Sequence, residues 1–428
     1  MRRSLSAPNT VLALLCVMYL ILYIDRVNIA TAAPFIQRDL DLSNTELGLA
    51  LSAFAYPYTV FQLIGGWLGN KFGARRTLCV SLILVCIATA LTGMVGGLAT
   101  LFLARVALGF GEGSALPTAT HAMSSWTPAG RWGFAQGITH SSARFGNWIT
   151  PPIVAALIVS FSWRDSFFIL AGISLVWTAI WAWYFRDSPD DHPHVTSDDL
   201  ARLPSKRPAD GARAVPWLRL FRRIFPATAV DFFYGWALWL FLTWIPSFFV
   251  QNFQLDIRSS ALFSSGVFFG GVVGDTLGGW VSDYVLKRTG NIDAARRNVI
   301  VAGFVGAAVC FLPVIFIHDL TLSVVCLSAA FFFAELIVAP VWAVPMDVAP
   351  RYAGTAAGMM NFGSAFAGIV SPVVFGYLVD MSGSWTVPFI AVVVLLLFGV
   401  FPAFYMRPDL PFDDAEERAA EGILKPAE

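Results

Sequence analysis

Five ionisable side chains stand inside otherwise apolar runs. Asp25 and Arg26 interrupt "YLILYIDRVNIATAAPF", Arg105 and Glu112 fall in "RVALGFGEGSALP", and Arg144 in "THSSARFGNW". A charge at the centre of a membrane-spanning helix costs at least about 2.5–3.5 kcal/mol on insertion scales, so five of them ask for a function. A carboxylate withdrawn from water favours its neutral form, and can load a proton from one side of a membrane and release it to the other as its surroundings alternate. Asp25 and Glu112 are therefore candidates for proton coupling; the alternative is that each merely neutralises an arginine. A guanidinium stays charged and forks onto a carboxylate through two hydrogen bonds. Arg26, Arg105 and Arg144, all in the first half of the chain, point to an anionic cargo.

Helices must position these groups. Neighbouring residues diverge by about 100°, so Asp25 and Arg26 face different surroundings; Arg105 and Glu112, two turns apart, share one face about 10 Å from each other. An anion near an arginine and a titrating acid a short way off couple reciprocally, each favouring the other's binding. The composition supplies such helices. Of the 428 residues 57% are hydrophobic and 13% charged, with mean hydropathy +0.67; soluble domains carry about 25% charged residues. Apolar runs between polar breaks predict twelve spans, near 10–34, 46–69, 77–97, 99–125, 131–160, 164–185, 225–251, 259–286, 297–317, 321–348, 352–381 and 385–406. The first run is read as a span, not a signal peptide, because it lacks a cleavage site and holds Asp25 and Arg26. The expectation is an all-α membrane protein with an N-terminal six-helix bundle (1–185), a solvent-exposed cytoplasmic linker (186–224), a C-terminal six-helix bundle (225–406) and a cytoplasmic tail (407–428).

The 28 Lys and Arg set the orientation. Apart from Arg38, Arg164 and Arg258, and the three within spans, all lie at the termini or in even-numbered loops, which places both termini in the cytoplasm. The formal net charge is zero, and no basic tract suggests nucleic acid. Cys16, Cys79, Cys86, Cys310 and Cys326 sit in apolar runs with no CxxC pair, so neither disulfide nor metal site is expected. The histidines are scattered, no catalytic constellation is visible, and no GxxxxGK[ST] loop occurs. No cofactor or enzyme activity is expected, and an ion gradient is left as the energy source.

The chain repeats internally. "GGWLGNKFGARR" begins at Gly65 and "GGWVSDYVLKR" at Gly278, each closing the second span of its half; "EGSALP" (from Glu112) is echoed by "ELIVAP" (from Glu335). Two parallel six-span repeats imply a site at mid-depth between them. The first motif resembles the loop between spans two and three of the major facilitator superfamily, with Asn70 where the family usually has an acid, while the second copy keeps Asp283. "RVALGFGEGSALP" resembles its span-four motif, with Leu108 in place of the usual Gln. Together with "DRVNI" in span one and "DVAPRYAGTAAGMMNFG" in span ten and beyond, the chain resembles the anion:cation symporter family, over essentially its whole length.

That resemblance implies twelve transmembrane helices in two pseudo-symmetric bundles that alternate access. It implies proton coupling through Asp25 and Glu112, substrate binding by Arg26, Arg105, Tyr58, Trp342 and Asn361, and gating by Lys71, Arg75, Arg76 and Asp283. Arg144 stands where sugar-acid members carry an uncharged residue: it either binds substrate, favouring one with an acid at each end, or pairs with Glu112. His140, Ser141, Ser142 and Tyr234 are weaker candidates. Asp275 and Glu335 are given no role, and Asp231 and Asp347, placed near cytoplasmic ends, call for no special reading. The expected function is proton-coupled import of an organic anion, a sugar acid or related hydroxycarboxylate, by a monomer in the inner membrane. The alternative is facilitated exchange or export of an aromatic or dicarboxylic acid.

Overall fold

The computed structural model describes residues 6–128, 132–203, 216–349, 352–410 and 412. Every regular element among them is helical, as backbone in hydrocarbon requires unless a barrel closes. The first group comprises α1 (Ala7–Asp39), α2 (Asn44–Ser52), α3 (Ala55–Phe72), α4 (Ala74–Gly93), α5 (Leu98–Trp126), α6 (Trp132–Ser160) and α7 (Trp163–Tyr184). A short α8 (Ser197–Arg202) precedes the second group: α9 (Trp217–Phe253), α10 (Ile257–Thr289), α11 (Val299–Phe316), α12 (Leu320–Glu335), α13 (Val338–Val348), α14 (Ala353–Ser382) and α15 (Thr386–Ala403). The α2–α3 and α12–α13 pairs each make one broken crossing, which gives twelve.

Proline places both breaks. A proline removes the hydrogen bond to the carbonyl four residues earlier and crowds it. Pro57 thereby frees Ala53 and Pro340 frees Leu336, where the helices turn. Among the described residues nine helices are long and apolar enough to cross a membrane on length and composition alone. The remaining crossings are the broken α2–α3, α5 with Arg105 and Glu112, and α6 with Arg144.

Two expectations about the connector are corrected. The helix of the seventh crossing begins at Trp217, within the expected connector, because "WLRLFRR" continues it in register. Nor is the connector wholly solvated: His192 is buried, its ring 5.2 Å from Trp126 and 4.7 Å from Tyr184.

Helix α3 lies close on α5 because Gly109 and Gly113 carry no side chain. A Cβ at Gly113 would stand 2.7 Å from that of Phe61, and one at Gly109 would overlap the Phe54 carbonyl. Across the groups, α2 meets α14, α6 meets α10 and α1 meets α9. On the face opposite the described start of the chain (the far face), Asp380 of α14 accepts the Thr45 amide at 2.7 Å, the Asn44 amide at 3.2 Å and the Asn44 side chain at 2.9 Å. A carboxylate from one bundle thus caps the N-terminus of a helix in the other, where the dipole favours it. Gln251 donates to Gln37 at 2.9 Å beside it, and the far face is closed. At mid-depth His140 of α6 and Trp342 of α13 come within 6.5 Å of each other from opposite bundles, yet both are exposed. The space between the bundles therefore opens towards the face on which α1 begins.

Candidate functional site

Asp25 and Arg26 diverge as helical geometry requires. Asp25 faces α7, where its Oδ2 accepts the Ser174 hydroxyl at 3.1 Å, while its Oδ1 finds no hydrogen-bond partner among the described residues. Arg26 faces α5 and grips one oxygen of Glu112 twice, Nη2 at 2.8 Å and Nε at 3.3 Å; the other oxygen, Oε1, has no hydrogen-bond partner among the described residues. The guanidinium of Arg26 lies 4.6 Å from the ring centre of Tyr23, 5.1 Å from Phe54 and 4.8 Å from Tyr58. Aromatic faces attract a cation and exclude water from it. Arg105 also approaches Phe54, at 5.6 Å, and its Nε is without a hydrogen-bond partner among the described residues. Phe54 therefore stands beside two guanidiniums, at the break that Pro57 imposes. All four charged groups are buried.

Arg144 corrects an expectation. It does not pair with Glu112, which α5 turns towards Arg26. The side of α6 that carries Arg144 faces the second bundle instead. There its Nη2 lies 3.0 Å from Glu335 and its Nε 3.3 Å from Asp275. Tyr234 of α9 donates to the other oxygen of Glu335 at 3.0 Å. Two acids without an expected role and one weak candidate thus join a site across the bundle interface. Asn361 bridges the bundles too, donating to Gln62 at 2.6 Å. Trp342 faces His140, whose ring packs edge-on to Tyr19 at 5.6 Å. Ser142 bonds back to the Ile138 carbonyl of its own helix, and Ser141 is exposed.

Of the expected gate residues, Arg75 ties elements together within its own bundle. The Arg75 amide donates to Asp187 at 2.9 Å and its side chain to the Ala182 carbonyl, tying the turn after α3 to the end of α7. Gly73, at φ +81°, allows that turn, and any Cβ there would strike the Asp187 carboxylate. Lys71 and Arg76 are exposed. In the second half Arg296 meets two acids, Asp347 closely and Asp283 more loosely. Asp347 pairs with Arg296 at 2.8 Å, whereas Asp283, 67% exposed, is 3.9 Å from it. Asp231 is also more than an end-of-span acid: it is buried and accepts the Ser364 amide at 3.0 Å. Only a helix packed against α9, here α14, could reveal this.

Sequence reasoning missed Tyr23, Phe54, Gln62 and Ser174. Phe54 had a signal, the proline three residues on. The other three are placed by helix rotation and carry none.

Comparison with known proteins places the fold and the family. The profile of the Major Facilitator Superfamily matches residues 15–372 and 292–427. A probable sulfoacetate transporter of Cupriavidus necator is 45% identical, over 98% of this chain and 99% of that protein. A hexuronate transporter of Bacillus subtilis is 30% identical (90% and 92% covered), and a probable galactarate/D-glucarate transporter of Escherichia coli 29% (89% and 90%). In fold, the chain matches a bacterial homologue of the human lysosomal transporter Spinster, solved inward-facing and unoccupied, with TM-score 0.79, 16% identity, and 99% of this chain and 100% of that one covered. With charged groups gathered at mid-depth between two helical bundles, and relatives that carry sugar acids and other anions, the chain belongs to the major facilitator superfamily: it is a multi-pass membrane transporter of small organic anions and not an enzyme.

Proposed function

We propose that the protein imports a small organic acid with two anionic ends, by proton symport, as a monomer in the inner membrane with both termini cytoplasmic. The observation that carries this reading is the placement of three arginines within the spans, Arg26 and Arg105 buried and Arg144 half-buried. Arg26 and Arg105 both lie near the Phe54 ring in one bundle, Arg144 stands at the interface with the other, and Tyr23 neighbours both Arg26 and Arg144. Two separated cationic points suit a cargo charged at both ends, since each good guanidinium–anion contact is bidentate and local. A relative named for sulfoacetate, which bears a sulfonate and a carboxylate, and one named for two sugar diacids support that class. Trp342, Asn361 and Tyr58 complete the walls and supply hydroxyl contacts.

Proton coupling is supported by the acids. Asp25 and Glu112 each keep one buried oxygen without a donor, and such an oxygen is where a proton adds. A proton on Glu112 loosens its hold on Arg26, which then grips the cargo instead. With the termini in the cytoplasm, the closed far face is periplasmic and the opening faces inward. Lys71, Arg75, Arg76 and Asp283 belong to the gate that closes that side. Thermal unfolding of the purified protein tests the cargo class, because a ligand of the native state raises its apparent stability. Sulfoacetate, galactarate and short dicarboxylates are expected to raise the midpoint more than hexuronates do; stabilisation by monoanions or neutral sugars alone would reject a two-ended cargo.

A further inference from the structure

Glu112 and Glu335 open the two copies of one internal repeat, EGSALP and ELIVAP. Both are buried, and both meet a guanidinium at mid-depth, at 2.8 Å and 3.0 Å. They differ in where that guanidinium comes from. Arg26 belongs to the same bundle as Glu112, whereas Arg144 reaches Glu335 from the opposite one. The second copy of the acid has thus been placed on the moving interface.

The surroundings of Glu335 are specific. Tyr234 donates to its Oε1 at 3.0 Å. Its Oε2 sits at ion-pair distance from Arg144 but in no aligned hydrogen bond. Gly271 of α10 leaves room for the Phe331 ring, which a Cβ there would overlap, and for the Glu335 side chain beside it, whose Cγ would lie 3.1 Å away. Asp275 takes the Nε edge of the same guanidinium. The remaining titratable groups around the cluster are His140 on α6, Tyr23 on α1 and Asp231 on α9. One cation therefore faces two carboxylates, the more deeply buried of which is Glu335.

An arriving anion cannot simply share Arg144. It must displace at least one carboxylate, which is then buried without a counter-charge, a strongly unfavourable arrangement. Adding a proton to Glu335 removes the conflict: one O–H bond forms, nothing leaves, and the neutral carboxyl still accepts the bond from Tyr234. We infer that Glu335, positioned by Tyr234, is a further proton-loading site, in the second bundle, that surrenders its share of Arg144 to the second acidic end of the cargo and in doing so removes one of the ties between the two bundles. This rests on the two-ended cargo proposed above, and it adds one proton per cycle to those carried by Asp25 and Glu112.

The coupling ratio tests it. In proteoliposomes held at zero voltage, the accumulation of labelled sulfoacetate at steady state rises tenfold per pH unit of gradient for each coupled proton. E335Q is expected to lower the slope of log accumulation against the pH gradient by one, a tenfold loss at a one-unit gradient, and E335D to restore it. An unchanged slope in E335Q overturns the inference. A second reading needs no cargo. Infrared difference spectra of the purified protein between pH 5 and 9 should contain a protonated-carboxyl band that E335Q removes and D25N leaves. Should E335Q not fold, Y234F should shift the pH at which that band appears. Absence of any such band overturns the proton site. If the band is present while wild-type protein accumulates no sulfoacetate, the proton site stands and the cargo reading falls.

Discussion

Arg26 is held by three aromatic rings and by both of its contacts to a single Glu112 oxygen. The planar fork, rather than the charge alone, fits that cage. Lysine there keeps the charge but loses the two-point grip. Charged hydrogen bonds contribute about 1.5–3 kcal/mol each, so Arg26→Lys should weaken cargo binding about tenfold to a hundredfold in equilibrium titration; unchanged affinity would remove Arg26 from the site. Asp25 accepts the Ser174 hydroxyl and makes no ion pair with an arginine among the described residues, which suits the proposed role in carrying the proton rather than the anion. Asp25→Asn is expected to abolish uptake driven by a pH gradient while counterflow exchange continues, and gradient-driven accumulation at the wild-type level would refute it. The types and depths of these residues were legible from their apolar settings. Their partners were not: whether Arg144 met Glu112 or Glu335 depends on the rotation of α6, and no spacing along the chain encodes that.

Among the elements, the broken crossings do the positioning. Pro57 turns the chain at Ala53 and sets the Phe54 ring beside two guanidiniums, while Pro340 turns it at Leu336, directly after Glu335. Both prolines were visible in the sequence, but a proline inside an apolar run does not announce whether its helix bends or merely tolerates it. The start of α9 was misjudged for a related reason: arginines between bulky apolar residues are as compatible with a helix emerging into water as with a connector. At the far face, Asp380 caps α2 from the opposite bundle, and cap contacts contribute about 0.5–2 kcal/mol. Asp380→Ala should therefore lengthen the distance between spin labels at positions 38 and 258, as the clasp opens in a larger share of molecules. Unaltered distance distributions would mean that the close packing of α2 on α14 closes this face unaided.

At the scale of the whole molecule, hydropathy, proline and the repeated glycine motifs were enough to read twelve crossings in two related halves, because the bilayer thickness dictates helix length and leaves few alternatives. The state of the molecule was not legible. Closure of the far face arises from contacts between residues more than two hundred positions apart, such as Asn44 with Asp380 and Gln37 with Gln251. The arrangement implies a division of labour. One bundle holds an arginine–acid pair of its own, and the interface holds a second arginine whose acids belong to the other side. In the proposed cycle protons neutralise the carboxylates and leave the guanidiniums to the anion as the bundles rock, which would link transport to the gradient. Accumulation of labelled sulfoacetate by reconstituted protein under an imposed inward proton gradient measures this most directly. Uptake should exceed equilibrium and collapse with a protonophore; uptake that merely equilibrates, unaffected by the protonophore, would contradict proton-driven import.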